Sequence, residues 1–280
     1  YVDFRYATDR IKIRLVPAFG SYMDQNYPGG YSINNLMEAS LGVKPWSEKD
    51  VWVEAGLIGS PFTNENPVSR DHIMYTRSLA AEYSPYYLAG VKITAALSKR
   101  LKGSFYLLNG WQTIRQEEEF PPAITGQLEF TLNKNNLINW NVYYQDRETH
   151  RRIFSDIYWI GTKDKWKFTS CFYAGNDESK VPSPYRPNSI FHRDGFWCNA
   201  NFAASYEIAT NTNLSARVEF YQDLHNNVHG KIYGAALGVN RKLFNQLYWR
   251  TECKWWQSET YSTGRKDNIF NATTSLGLGF

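Results

Sequence analysis

"NLSARVEFYQD", residues 213–223, sorts its side chains by parity. Leu214, Ala216, Val218 and Phe220 fall on one face of an extended chain; Ser215, Arg217, Glu219 and Tyr221 fall on the other. Successive side chains of a strand point to opposite faces, so the stretch reads as a strand with one greasy and one charged side. The same pattern recurs in "LYWRTECKWWQSE" (247–259), "VKITAALS" (91–98), "GQLEFTL" (126–132) and "NLINWNVYYQD" (136–146). The chain closes on it as well: in "NIFNATTSLGLGF" (268–280), Phe270, Ala272, Thr274, Leu276, Leu278 and Phe280 share one parity.

Helical periodicity is hard to find anywhere. From residue 10 onward the alternation predicts strands near 10–22, 34–46, 50–62, 86–98, 101–113, 121–133, 136–149, 151–163, 166–177, 195–209, 212–225, 229–243, 247–259 and 267–280. Most exceed the usual length in soluble sheets, and a membrane-crossing strand needs about 9–11 residues. The connections alternate. A tight set includes 7–10, 46–50, 98–101, 133–136, 162–166, 209–213 and 243–246. A generally longer set includes 23–34, 63–85, 114–120, 176–195 and 260–267, with short members near 149–151 and 225–229.

Alternation alone also suits a soluble sandwich, whose apolar face turns inward. Long strands, alternating loop lengths and aromatics near strand ends (Trp46, Trp52, Trp111, Trp159, Trp166, Phe172 and Phe280) favour an outer-membrane barrel with aromatic girdles. In hydrocarbon every backbone N–H and C=O needs a protein partner, which a closed sheet supplies. The predicted class is therefore all-β: one transmembrane up-and-down antiparallel β-barrel domain over 1–280, with a long outer loop at 63–85. Residues 1–7 read as a strand descending into a periplasmic turn, giving fifteen. An even number is the rule for such barrels, so about sixteen are expected, with the first strand missing from this sequence.

Bulk numbers narrow the class further. Mean hydropathy is −0.53 and aromatic content 16%, so there is no transmembrane helix yet much aromatic surface to cover. A net charge of +4 without a Lys/Arg block argues against nucleic acid. Cys171, Cys198 and Cys253 form neither a disulfide framework nor a metal pattern, and nothing calls for a cofactor. The chain opens on Tyr1 without a leader and reads as processed or trimmed.

Placing the polar parity inside predicts a wide, wet, charged lumen lined by Lys12, Arg14, Lys44, Lys92, Lys102, Lys167, Arg217, Lys231, Arg250 and Lys254, against Glu38, Glu54, Glu129, Glu207, Glu219 and Glu252. Ten basic groups facing six acidic ones suggest mild anion preference, unless many pair across strands to stiffen the wall. The 63–85 segment carries Arg70, Asp71, His72, Arg77 and Glu82 with apolar groups between them. It reads either as a loop folded inward to constrict the barrel or as a lid on the outer rim.

Several blocks resemble the OmpL-like β-barrel porins of the Bacteroidetes. They are "DRIKIRLVPAFGSYMDQNY", "DVWVEAGLIGSPFTNEN", "MYTRSLAAEYSPYYLAGVKITAALSKRLKGSFYLLNGWQ" and "FWCNANFAASYEIATNTNLSARVEFYQD". The resemblance matches "TRS" at Thr76–Ser78, "NGWQ" at Asn109–Gln112 and "ARxE" at Ala216–Glu219. It implies an outer-membrane pore set in the lipid bilayer and no known substrate; the wet, charged lumen itself suits passive diffusion of small hydrophilic solutes or ions. Phe280 resembles the signal read by the outer-membrane insertion machinery.

Two other classes stay open. An accessory or structural barrel in a complex with other outer-membrane proteins would have a plugged or idle pore. A hydrolase would need a rim site, and His72, His150, His192, His225 and His229 all sit in or beside outer loops, yet no motif pairs a nucleophile with a base. The chain reads as a channel and not as an enzyme.

Overall fold

The computed structural model describes residues 1–27, 35–115, 121–148, 150–182, 190–224, 230–244, 246–260 and 263–278, with backbone alone at 180–182 and 190–194. Among them, fifteen strands form one sheet in chain order. They are β1 (Phe4–Ala7), β2 (Ile11–Pro17), β3 (Leu36–Val43), β4 (Val51–Gly59), β5 (Tyr87–Ala96), β6 (Leu101–Leu108), β7 (Ala123–Asn133), β8 (Asn136–Arg147), β9 (His150–Lys163), β10 (Trp166–Pro182), β11 (Ile190–Ala209), β12 (Thr212–Asp223), β13 (Lys231–Lys242), β14 (Leu247–Glu259) and β15 (Lys266–Leu278). Each pairs antiparallel with the next. The edge strands β1 and β15 therefore run the same way, and antiparallel closure between them needs a further strand of opposite sense.

The sheet curls with its charged side inward. Val218 is 58% exposed on the outer face, while its neighbour Arg217 is 2% exposed on the inner one. Asn139, Asn141 and Tyr143 are buried, and Trp140 between them is open to the outside. No helix of the described residues is long and apolar enough to cross a membrane; this chain crosses with strands. Near the tight turn between β9 and β10 the outer face carries a run of rings. Trp159 and Phe168 lie 5.9 Å apart, Phe168 and Trp166 5.5 Å, and Trp166 and Tyr206 4.6 Å. Aromatic belts of this kind sit at the lipid–water boundary.

Five details differ from the sequence reading. Trp111 faces inward, against Phe62, Tyr143 and Phe154. Trp52 also turns inward, with the Lys12 ammonium 4.6 Å over its ring. Lys231 takes the outer parity, because Ile232, Gly234 and Ala236 supply the inner face of β13. The span 176–195 is largely strand, since β10 runs to Pro182 and β11 starts at Ile190. Past β2 the chain forms a short helix, α1 (Ser21–Asn26), where the end of a strand and the start of an outer loop were expected. Phe280, His225 and His229 lie outside the described residues, as does the side chain of His192.

The wall bends sharply just below the long loop. Gly56 and Gly90 face each other across β4 and β5 with φ of 129° and 155°. A Cβ at either would lie 2.2 Å from a neighbouring carbonyl oxygen. Only glycine meets both demands, and β4 leaves the sheet at Gly59, three residues on.

Placing a cation on the outer face tests its contact with hydrocarbon. Val218→Arg is expected to cost about 2–4 kcal/mol in urea unfolding from lipid vesicles, followed by tryptophan fluorescence. A cost below roughly 0.5 kcal/mol would place that face in water.

Candidate functional site: the inward loop and its latch

After β4 the chain enters the lumen and stays there until β5. It crosses to the far wall and touches the inner faces of β8 to β14 in turn. At its root, Phe62 packs among Trp111, Tyr143 and Phe154, with ring centroids 5.7, 6.2 and 5.3 Å away. The amide of Asn141 donates to the Pro61 carbonyl at 2.9 Å, and Asp156 accepts from the Thr63 N–H at 2.6 Å. Asn64 donates to Thr169 and Asn201 at 2.9 and 3.2 Å.

Further along, the loop meets β12 to β14 and the interaction becomes ionic. Arg217 donates to the Thr76 carbonyl at 2.6 Å, and to the Thr76 hydroxyl and the Arg77 carbonyl at 3.2 Å each. Glu252 accepts from the Thr76 N–H at 2.9 Å and its hydroxyl at 2.6 Å. Glu219 accepts from the Leu79 N–H at 2.8 Å and pairs with Lys254 at 3.1 Å. Arg250 donates to the carbonyls of Ser69 and, at 2.9 Å, His72; Asn240 donates to Ile73 at 2.9 Å. The loop supplies its own acid, Glu65, which accepts from the Ser78 N–H and hydroxyl at 2.6 and 2.9 Å and lies 3.8 Å from Arg217. Ser78 caps the following short helix, α2 (Leu79–Glu82), accepting from the Ala81 N–H.

These groups balance. Arg217, Arg250 and Lys254 stand against Glu65, Glu219 and Glu252, all with their charged ends in or near the protein interior. Buried charges persist only when paired and hydrogen-bonded, and here the loop backbone supplies the bonds that water would otherwise make.

The return limb packs on aromatics. Arg77 bonds Glu82 at 3.0 Å and lies between the rings of Tyr22 and Tyr86, 4.3 and 4.6 Å from their centroids. Glu82 accepts from the Tyr86 hydroxyl at 2.7 Å, and Tyr83 stacks on Tyr221 at 3.9 Å. Gln112 accepts from the Tyr86 N–H at 2.9 Å.

The sequence motifs thus converge: Thr76–Ser78, Trp111 and Gln112, and Arg217 with Glu219 all hold this loop. Arg70 and Asp71 are half exposed, 3.8 Å apart, and make the loop's free edge. Of the lumen residues named from sequence, Arg217, Glu219, Arg250, Glu252 and Lys254 face inward but lie covered by the loop, where open water was expected. Lys12 and Lys92 share Glu54 at 3.0 and 3.7 Å, and Lys102 pairs with Glu129 at 3.2 Å. Arg14 bridges Asp3 and Glu38 at 3.1 and 2.6 Å. Asp156, Asn141, Asn240 and Glu65 were not singled out from sequence.

Between the loop's free edge and the wall of β1 to β3 lies a cavity of about 1050 Å³. It is lined by Asp3, Arg5, Arg14, Glu38, Arg70, Asp71, Arg77 and Glu82, among others. Its four basic and four acidic groups form short pairs. Among the described residues the His side chains show no nucleophile–base arrangement: His150 contacts Asp177, and His72 is buried in the loop.

His72 is a titration point. Its Nε2 lies 2.7 Å from the Asn66 carbonyl, so Nε2 carries the proton, and the buried Nδ1 makes no hydrogen bond. Burial pushes its pKa below the ordinary imidazole value, with Arg250 and Arg77 adding to the shift and Glu65 opposing it. The unfolded chain therefore takes up the proton first, and stability falls as pH drops below about 6.5. A thermal midpoint measured from roughly pH 7.5 to pH 5 should show an acid-side loss that His72→Gln largely removes. Arg217→Met removes the guanidinium beside Glu65, Glu219 and Glu252, leaving Glu219 to Lys254 alone, and is expected to cost about 3–5 kcal/mol. Denaturant unfolding measures this cost, and Glu219→Gln in the same background should recover part of it.

Comparison with known proteins agrees with this fold. The outer membrane channel DcaP of Acinetobacter baumannii is similar in fold, with a TM-score of 0.67 at 12% identity, over 99% of this chain and 83% of that one. A porin structure refined at 1.8 Å gives 0.57 at 9%, over 98% and 90%. An anion-selective porin from Comamonas acidovorans gives 0.59 at 10%, over 96% and 83%. No curated protein matches the chain. The family model described as "Putative beta-barrel porin-2, OmpL-like" matches residues 1–280, and the chain belongs to that family of integral outer-membrane, porin-like β-barrels.

Proposed function

We propose that this barrel is a passive channel for small hydrophilic solutes and ions whose bore is narrowed by the latched 60–86 loop. The observation that carries the reading is the loop itself, tied by Arg217, Glu219, Arg250 and Glu252 to one wall. A cavity stays open along the opposite wall. A loop so held does not sweep the lumen; it sets a fixed aperture.

The charge arrangement supports weak selectivity. Arg217, Arg250 and Lys254 are neutralised by the latch, and the cavity groups pair among themselves. The residual positive charge lies lower in the barrel, where Lys12 and Lys92 divide one carboxylate, Glu54. That site favours anions mildly. In this reading insertion proceeds through the outer-membrane machinery. The chain is no enzyme in this reading.

A second reading keeps the same latch but gives the barrel an accessory role in a larger outer-membrane assembly, with the lumen plugged. The density of bonds holding the loop favours it. Planar-bilayer recording separates the two. The channel reading expects discrete conductance, raised by deleting residues 66–82. It also expects a small anion-directed reversal potential in asymmetric salt, reduced by Lys92→Gln. An intact protein without conductance, co-purifying with unlike outer-membrane proteins, would establish the plugged barrel instead.

A further inference from the structure

Asp156 stands apart from the other buried acids of the inner wall. Glu38, Asp177, Glu219 and Glu252 each have an Arg or Lys between 2.6 and 3.6 Å away. Asp156 is 2% exposed and has no ion pair among the described residues. One carboxylate oxygen accepts from the Thr63 N–H, and the other is buried without a hydrogen bond. A carboxyl so placed stays ionised only with a compensating charge, and otherwise holds a proton.

The groups around it lack partners in the same sense. The Thr63 hydroxyl oxygen is buried and unbonded. Asn141 lies directly opposite Asp156 in the strand register, and its amide N–H goes to the Pro61 carbonyl. A carbonyl can only accept, so that bond fixes the amide orientation and leaves the Asn141 carbonyl oxygen buried and unbonded. Three oxygens, one of them from a carboxyl, thus lack a hydrogen bond where the loop root meets β8 and β9.

The backbone adds an independent sign. Thr63 has a φ of 64°. A β-branched residue in the left-handed region is strained, and such strain persists where the surroundings enforce it. Asn64 and the ring nest around Phe62 grip the chain on either side. The strained turn holds Thr63 against Asp156.

We propose that Thr63, Asn141 and Asp156 bind a hard cation of the calcium or sodium class, pinning the root of the inward loop to the wall. An all-oxygen set of carboxylate, amide carbonyl and hydroxyl suits such ions and not softer transition metals. A water would satisfy the polar atoms and leave an ionised carboxylate uncompensated, and a proton would discharge Asp156 without tying the three oxygens together. The cation does both.

The test uses the full chain, refolded in detergent, with thermal unfolding followed by tryptophan fluorescence. CaCl₂ and NaCl are titrated separately against choline chloride at constant ionic strength. The wild type should show a midpoint that rises saturably with at least one cation, and the two arms identify which. Asp156→Asn should lose that rise and unfold no earlier than wild type in choline chloride, since it removes the uncompensated charge. Thr63→Gly relaxes the backbone and deletes one ligand; it should move half-saturation upward by about tenfold or more, and it carries the test if Asp156→Asn fails to fold. No saturable rise in wild type, or an equal rise in Asp156→Asn, overturns the proposal in favour of water or a proton at this site. The readout is independent of conductance, so it stands or falls apart from the channel reading.

Discussion

A guanidinium with almost no access to solvent organises the lumen. Arg217 projects from β12 and is 2% exposed. In an open, water-filled barrel it would be hydrated and would constrain nothing. Covered, it must find partners, and the wall alone supplies only Glu219 and Glu252 at 3.4 and 3.6 Å. The remaining bonds come from the Thr76 and Arg77 carbonyls. Loop and wall are therefore mutually dependent. Withdrawing the loop exposes cations that the surrounding carboxylates only partly satisfy; inserting it requires that those charges be present. The latch chemistry sets the loop's path.

The same strands answer to two solvents. Outside, Val218 and Leu237 meet hydrocarbon. Inside, the barrel has patches packed like a soluble protein: Phe62, Tyr143, Phe154 and Tyr173 form one apolar cluster, and Met23, Tyr27, Met37 and Tyr87 another. The second joins α1 to the wall beside the return limb, where Tyr27 stacks on Tyr87 at 4.6 Å. Apolar packing at the root and α1, with ionic bonding between, fixes the loop at separated points. Separated anchors rigidify a segment more than the same contacts clustered at one end, because each shortens the length of chain left to move.

Strand existence was legible throughout because alternation against lipid is strict, as at Leu214–Tyr221 on β12. It failed on β13 for a physical reason. There the inner face is Ile232, Gly234 and Ala236, small or apolar because the loop occupies the space, while the outer face is apolar against lipid. With both faces apolar, parity carries no sign, and Lys231 was placed on the wrong side. Trp52 and Trp111 misled similarly, since a girdle and an inner nest use the same ring. Of the latch, both halves were quoted as motifs, Thr76–Ser78 and Ala216–Glu219. Their union, across 141 positions for Arg217 and Thr76, follows from barrel curvature that no local pattern encodes. Asp156 shares the parity of Phe154 and Tyr158 and gave no local signal at all.

Counting lumen charge by parity misjudges where selectivity resides. Ten basic positions were assigned inward from sequence, yet Lys231 lies outside, and Arg217, Arg250 and Lys254 serve the loop rather than the solute. A charge acts on a passing ion only where water still reaches it, because a neutralised, covered pair presents little field at a distance. Lys12 and Lys92 fulfil that condition, sharing a single carboxylate below the loop. In the proposed channel the aperture and the ion preference are thus set at different heights on the barrel by different residues. On that proposal a change to one need not alter the other: aperture would follow the integrity of the Arg217 latch, and preference the imbalance around Glu54.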